Sequence, residues 1–161
     1  MRVSSADFKI RHYRSADADS IVQIFHASVH GLANSDYTSA QLKAWSPSPR
    51  DADWYRTRAQ NRTIWVAERA DTLIGFAELE SNGHVDMVYV APSVARQGVA
   101  TALLHALESH AREAGLPGLF VEASETALPF FTRVGFGSAR RREIERDGVR
   151  LHNYAMEKAL A

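Results

Sequence analysis

The sequence predicts an α/β (α+β) chain: a mixed, mostly antiparallel sheet of about six to seven strands flanked by helices. Three observations predict it. Stretches whose apolar side chains alternate every second residue interleave with stretches of helical period. The alternating stretches crowd into the middle and the C-terminal end, with turn residues between them. The composition, 45% hydrophobic and 24% charged over 161 residues, is that of an ordinary globular chain with one core.

The elements follow in order. Phe8–Tyr13 (FKIRHY) alternates and predicts a first strand. Asp17 and Asp19 are N-cap candidates for a helix carrying Ile21, Ile24, Phe25, Ser28, Val29 and Leu32 on one face, with Gly31 at its end. Thr38-x-x-Gln41 is a capping box for a short helix to Trp45. Pro47 and Pro49 stop it, and Asp51 or Asp53 caps another turn or two. Thr63–Arg69, Thr72–Glu80 and His84–Val90 predict an antiparallel meander, its second hairpin closed by Asn82-Gly83 at positive φ. Val99, Leu103, Ala106, Leu107, His110 and Ala114 then form a helical stripe ended by Gly115 and Pro117. A short buried strand over Leu119–Glu122 and a helix over Ser124–Val134 come next. A last hairpin, Phe136–Ile144 with Val149–Met156, turns at Asp147-Gly148.

Composition excludes several classes. The chain has no cysteine, so it offers no disulfide scaffold, thiolate metal site or cysteine nucleophile. Its 19 basic and 19 acidic residues cancel, removing the simplest electrostatic case for nucleic acid. No stretch approaches the roughly 20 apolar residues of a membrane span, and the N-terminus lacks a signal-peptide core. One domain over residues 1–161, in the cytoplasm, is the expectation, with no nucleic-acid or membrane partner. The exposed edges of the last hairpin offer a place for a homodimer to form.

The informative segment is Val85–Leu104, VDMVYVAPSVARQGVATALL. A strand enters a loop holding Gly98 and Ala100, which opens directly into an amphipathic helix. Such a junction aims free backbone N–H groups and the positive end of a helix dipole at one point, a seat for a phosphate.

Here the chain resembles the GCN5-related N-acetyltransferase (GNAT) superfamily over nearly its whole length. The superfamily loop reads Q/R-x-x-G-x-G/A, and Ala95-Arg96-Gln97-Gly98-Val99-Ala100 lies on it. The helix TALLHALESHAREAG, the strand LFVEAS and the ending ALPFFTRVGF match later segments, with Arg133, Gly135 and Phe136 in agreement. The resemblance implies acetyl-coenzyme A as acyl donor and a primary amine as acceptor, with direct attack and no metal. It implies a splayed pair of strands, His84–Val90 and Leu119–Glu122, with the thioester between them. Arg96, Gln97, Gly98, Val99, Ala100 and Thr101 would hold the pyrophosphate through their amides. Val88, Tyr89 and Val90 would pair with the pantetheine arm, and a backbone N–H near Val88 would meet the carbonyl. Arg96 or Arg133 would reach the 3′-phosphate, and Ser124 the pantetheine.

Two departures stand out. Ala95 replaces the usual Gln or Arg, removing a side chain but no amide. Phe131 falls where the superfamily carries its general-acid tyrosine. Either the thiolate leaves unaided, as a thiol of pKa about 8.5 allows, or water, Ser124 or Tyr154 serves as acid. For the base, Glu78, Glu80, His84 and Asp86 share matching parity on adjacent strands. His84 aligns with the glutamate base of histone-acetylating relatives. Residues 26–55 would form the acceptor wall, with His30, Tyr37 and Trp45 as candidates for substrate binding, while His26 and His30 have the i, i+4 spacing of a metal pair. Arg140–Arg142 reads as a solvated edge, its charges split over two faces. The alternatives are a non-catalytic acyl-CoA sensor, with Phe131 marking lost chemistry, and a protein N-terminal acetyltransferase.

Overall fold

The computed structural model describes residues 7–160. Among them seven strands form one sheet in the order β1-β2-β3-β4-β5-β7-β6. These are β1 (Lys9–His12), β2 (Thr63–Arg69), β3 (Thr72–Leu79), β4 (His84–Val90), β5 (Gly118–Ala123), β6 (Gly137–Arg146) and β7 (Val149–Ala159). The helices are α1 (Ala18–Leu32), α2 (Ser39–Trp45), α3 (Ala52–Ala59), α4 (Val99–Glu113) and α5 (Leu128–Arg133). The expected mixed, mostly antiparallel sheet is therefore present, with β4–β5 its parallel pair.

Apolar faces divide the helices between the two sides of the sheet. Leu103, Leu104, Leu107 and Ala111 of α4 are fully buried with Phe131 of α5 and Met156 of β7 on one side. Ile21 of α1 and Tyr55 of α3 pack on Phe76 and Val66 on the other. Val29, Tyr37 and Leu42 meet Leu151 of β7 there too. The α4 stripe is turned slightly from its predicted line: Leu104 and Ala111 are buried, whereas Ala114 lies beyond the helix and is exposed.

Local rules explain most of the boundaries. Thr38 and Gln41 form the reciprocal capping box at α2, and Asp51 accepts the Asp53 N–H at the head of α3. Asp17 precedes α1 but does not cap it: its carboxylate takes the two terminal Arg11 nitrogens at 2.9 Å and the Arg14 N–H at 2.7 Å. Gly31 does not end α1. A Cβ there would meet Pro92 Cγ at 2.9 Å, so its smallness lets the helix approach the strand-to-helix loop. Both residues of the Ala70-Asp71 turn have positive φ, 48° and 64°, the turn chemistry expected instead at Asn82-Gly83. At that second turn Gly83 has φ 97°, and the Asn82 side chain accepts the His84 N–H. The helix expected from Ser124 starts only at Leu128, because the Ser124 hydroxyl and carbonyl take the Ala127 N–H and hold a turn.

Two irregularities of β4 position everything that follows. Glu78 pairs with Met87 and Leu79 with Val85, leaving Asp86 as the extra residue of a β-bulge. Such a bulge re-aims a side chain, and Asp86 joins Met87 on the α3 side, beside Glu78. The second irregularity is that β4 and β5 pair only at His84–Phe120 and Val85–Val121 before diverging.

Candidate active site

The divergence leaves an edge of β4 unpaired. Ala91 donates to Ile74 of β3, so alternation turns the backbones of Val90 and Val88 the other way, toward the gap. The Val90 carbonyl is taken by the Ser28 hydroxyl at 2.6 Å. This edge leads into a 3-10 turn, Pro92–Val94, and then to Arg96 at φ 63° and Gly98 at φ 82°, the N-cap of α4. No atom lies within 4 Å of where a Gly98 Cβ would stand. Glycine is thus needed for the left-handed turn, and the space above it is open. The first amides of α4, from Val99 through Thr101, have no intrahelical acceptor and face out of the helix end. Gln97 braces the loop, accepting from Arg69 at 3.2 Å and donating to the Ser93 carbonyl at 3.4 Å. Arg96 and Arg133 are exposed, Arg133 lying 5.9 Å from the Phe130 ring centre.

A cleft of about 370 Å³ runs through the splay. Val88, Tyr89, Ser124 and Phe131 line it together with His84 and Asp86. Phe131 is buried and packs edge-on against Phe130 and Phe136. The four candidate bases do lie together, but each is held by partners. Glu78 is fully buried, with Arg58 Nε at 3.1 Å and Arg62 Nε at 3.4 Å. Burial pushes its pKa above the usual carboxylate value despite the pull of Arg58. Asp86 is bonded by Arg58 and by Arg62, whose Nη2 is 2.9 Å away. All these contacts fall on Oδ2, which leaves Oδ1 without a hydrogen-bond donor among the described residues. His84 has Nδ1 2.6 Å from Glu80 and Nε2 2.7 Å from Glu122, with its ring stacked on Phe120. Burial opposes its charge, yet the two carboxylates prevail and its pKa is raised. Both ring nitrogens face acceptors, so His84 is held as an imidazolium. The donor atoms of Glu80, His84 and Asp86 lie within 4.8 Å of one another, and both ring nitrogens of His84 are taken by Glu80 and Glu122.

The remaining sequence candidates fall in different places. Tyr37 and Trp45 line the cleft, edge to face at 5.4 Å. The Tyr37 hydroxyl donates to the His152 carbonyl and accepts the Glu125 N–H, a bracing role. His30 is not brought to the cleft: its Nε2 meets the Ser46 carbonyl, and His26 Nδ1 meets the Ser46 hydroxyl, both at 2.7 Å. That pair ties α1 to the segment after α2 and is no metal pair. Tyr154 projects to the α5 side, where Glu125 raises its pKa and Arg141 is its other partner. It does not line the cleft. Arg140–Arg142 are exposed on the edge strand β6, as expected, and Arg142 also lines the cleft and reaches Glu122 at 3.7 Å.

Sequence reasoning missed Arg58 and Arg62, which organise the carboxylates, and Phe25, Arg146 and Asn153 in the cleft wall. Arg58 lies on α3 and Arg62 in the turn that follows it, but nothing local points them at carboxylates 16 to 28 residues away.

The model of the acetyltransferase (GNAT) domain matches residues 33–158. The chain is 31% identical over 150 residues to the uncharacterized N-acetyltransferase YafP of Escherichia coli K12, covering 93% of this chain and 95% of that protein. A GCN5-related N-acetyltransferase from Rhodopseudomonas palustris superposes with a TM-score of 0.88 at 32% identity, over 94% of each chain. YncA of Salmonella typhimurium, solved with its cofactor acetyl-CoA, shares the fold with a TM-score of 0.74 at 21% identity, over 96% of this chain and 95% of that one.

Proposed function

The chain belongs to the GNAT acetyltransferase family, and from that premise we propose that it transfers an acetyl group from acetyl-coenzyme A to a primary amine by direct attack, as one catalytic domain. One observation carries the reading. The edge of β4 freed by the splay runs straight to the left-handed Gly98 at the head of α4. A strand-like pantetheine fits that edge, and its pyrophosphate fits the loop and helix amides from Arg96 to Thr101. Exposed Arg96 and Arg133 supply cations for the 3′-phosphate, and Ser124 and Phe131 flank the arm. The acetyl-CoA bound to the similarly folded YncA supports this assignment.

The chemistry then follows from the residues at the splay. The acceptor arrives as an ammonium, and a lysine-like pKa of about 10.4 costs about 5 kcal/mol to deprotonate at neutral pH. Asp86 Oδ1 receives that proton through water, while Arg58 and Arg62 fix the carboxylate. Glu78 is a positioning residue that holds Arg58 against Asp86. His84 stays charged and supplies positive potential. The freed nitrogen lone pair forms the N–C bond as the carbonyl electrons move to oxygen, where the Val88 N–H receives the developing charge. The attached nitrogen gives its second proton to water, collapse breaks the C–S bond, and the thiolate leaves without an acid, since Phe131 has none to give. No covalent enzyme intermediate is needed.

The test is thiol release from acetyl-CoA across a panel of amines, with the product weighed by mass spectrometry. Thiol and N-acetyl product should appear in equal amounts, and Asp86→Asn should lower kcat by about 100-fold. Tight acetyl-CoA binding without amine-dependent release from any amine overturns the reading.

A further inference from the structure

The charges lining the cleft do not cancel evenly. Asp86 is neutralised by Arg58 and Arg62, and Glu122 by His84 and Arg142. Arg146 also lines the cleft and has no carboxylate partner among the described residues. It lies close enough to Tyr89 to oppose the rise of that phenol's pKa. A cleft with one spare cation and no spare carboxylate disfavours a polyamine, whose second ammonium would find no partner.

Arg142, Ile144 and Arg146 alternate along β6, opposite Asn153, Leu151 and Val149 of β7. Leu151 packs with α1 and α2, so this face is opposite to the one carrying α4 and its phosphate loop. Arg146 therefore serves the acceptor side. At its other end the same face holds Asn153, whose Oδ1 is buried with no hydrogen-bond partner. A buried carbonyl oxygen of this kind wants a donor. Between Asn153 and Arg146 lie Ile144 and Leu151, spanning roughly 13 Å of strand.

On the acetyl-transfer reading, we infer that the acceptor is a primary amine joined through an apolar spacer to a carboxylate. Asn153 Oδ1 takes an amine N–H, Ile144 and Leu151 flank the spacer, and Arg146 pairs with the carboxylate. One spare guanidinium matches a monoanion; a phosphate dianion would want two cations.

The test compares matched pairs that differ only in the carboxylate: 6-aminohexanoate against hexylamine, and 4-(aminomethyl)benzoate against benzylamine. In each pair the carboxylate is remote, so amine basicity hardly changes. The carboxylate member should have the higher kcat/KM by about tenfold or more. Arg146→Gln should bring the ratio close to one while leaving the plain amine within about twofold. Calorimetric titration of the same pairs into the coenzyme-A-saturated protein reads the same ratio without turnover, so failure of the chemistry and failure of the specificity are separable. Equal or better use and binding of the plain amines overturns the inference, as does a ratio that survives Arg146→Gln. An aminophosphonate analogue preferred over the carboxylate overturns it too.

Discussion

Replacing Arg58 with methionine keeps the aliphatic stem but leaves Glu78, fully buried, with the Arg62 contact at 3.4 Å as its remaining ion pair among the described residues. Removing one partner from a buried ion pair costs about 3–5 kcal/mol. Because Arg62 remains, the lower end applies, and about 3 kcal/mol in a chain of this size lowers Tm by about 6–12 °C. The pH dependence has a definite sign. Burial already holds the Glu78 pKa above its ordinary value against the pull of Arg58, so loss of Arg58 raises it further. The cost of a buried charge is then present in full above the folded-state pKa and is relieved as pH falls toward the unfolded one. The variant's deficit should therefore shrink on acidification toward the unfolded-state value, and adding Glu78→Gln should recover part of it. Scanning calorimetry of the wild type, Arg58→Met and the double variant reads all three effects. A deficit under about 2 °C, or one that stays constant or grows on acidification, refutes the reasoning.

Three further outcomes are expected. Gly98→Val should weaken acetyl-CoA binding by more than about tenfold, while the left-handed strain costs only about 1–2 kcal/mol of stability; titration calorimetry and thermal melts check the contrast. Phe131→Tyr should change kcat by less than about tenfold if the thiolate leaves unaided, and a larger gain would show that an acid is needed. For His84, the raised pKa means that its ion pairs stabilise the fold below the unfolded-state value and that this is lost as pH rises through the folded one. The Tm gap between wild type and His84→Gln should accordingly be widest under mildly acidic conditions and narrow toward alkaline pH.

How much was legible in the sequence depends on how local each cause is. The capping boxes and strand alternation are local, so α2, β2 and β4 matched their predicted ends. The Gly98 loop was legible because the left-handed turn and the helix start follow one another in the chain. Gly31 was misread because its reason is Pro92, 61 positions away, pressing on the helix. The candidate bases lie together, as their parity suggested, yet their partners were hidden. Arg58 comes from α3 and Arg62 from the turn after it, and a bulge invisible in the pattern turns Asp86 toward them. His30 shows the reverse: its helical spacing with His26 suggested a ligand pair, while a serine from the far side of α2 takes both rings. Arg142 and Arg146 lie on one face by parity, but only the packing of Leu151 tells which face borders the cleft.

A crystal structure with acetyl-CoA bound tests the central claim most directly, through the distance from the Val88 amide nitrogen to the thioester oxygen. The predicted result is about 3 Å, with the pantetheine along the freed edge of β4 and the pyrophosphate over Gly98. A thioester held outside the splay, with the Val88 amide facing solvent, would contradict it.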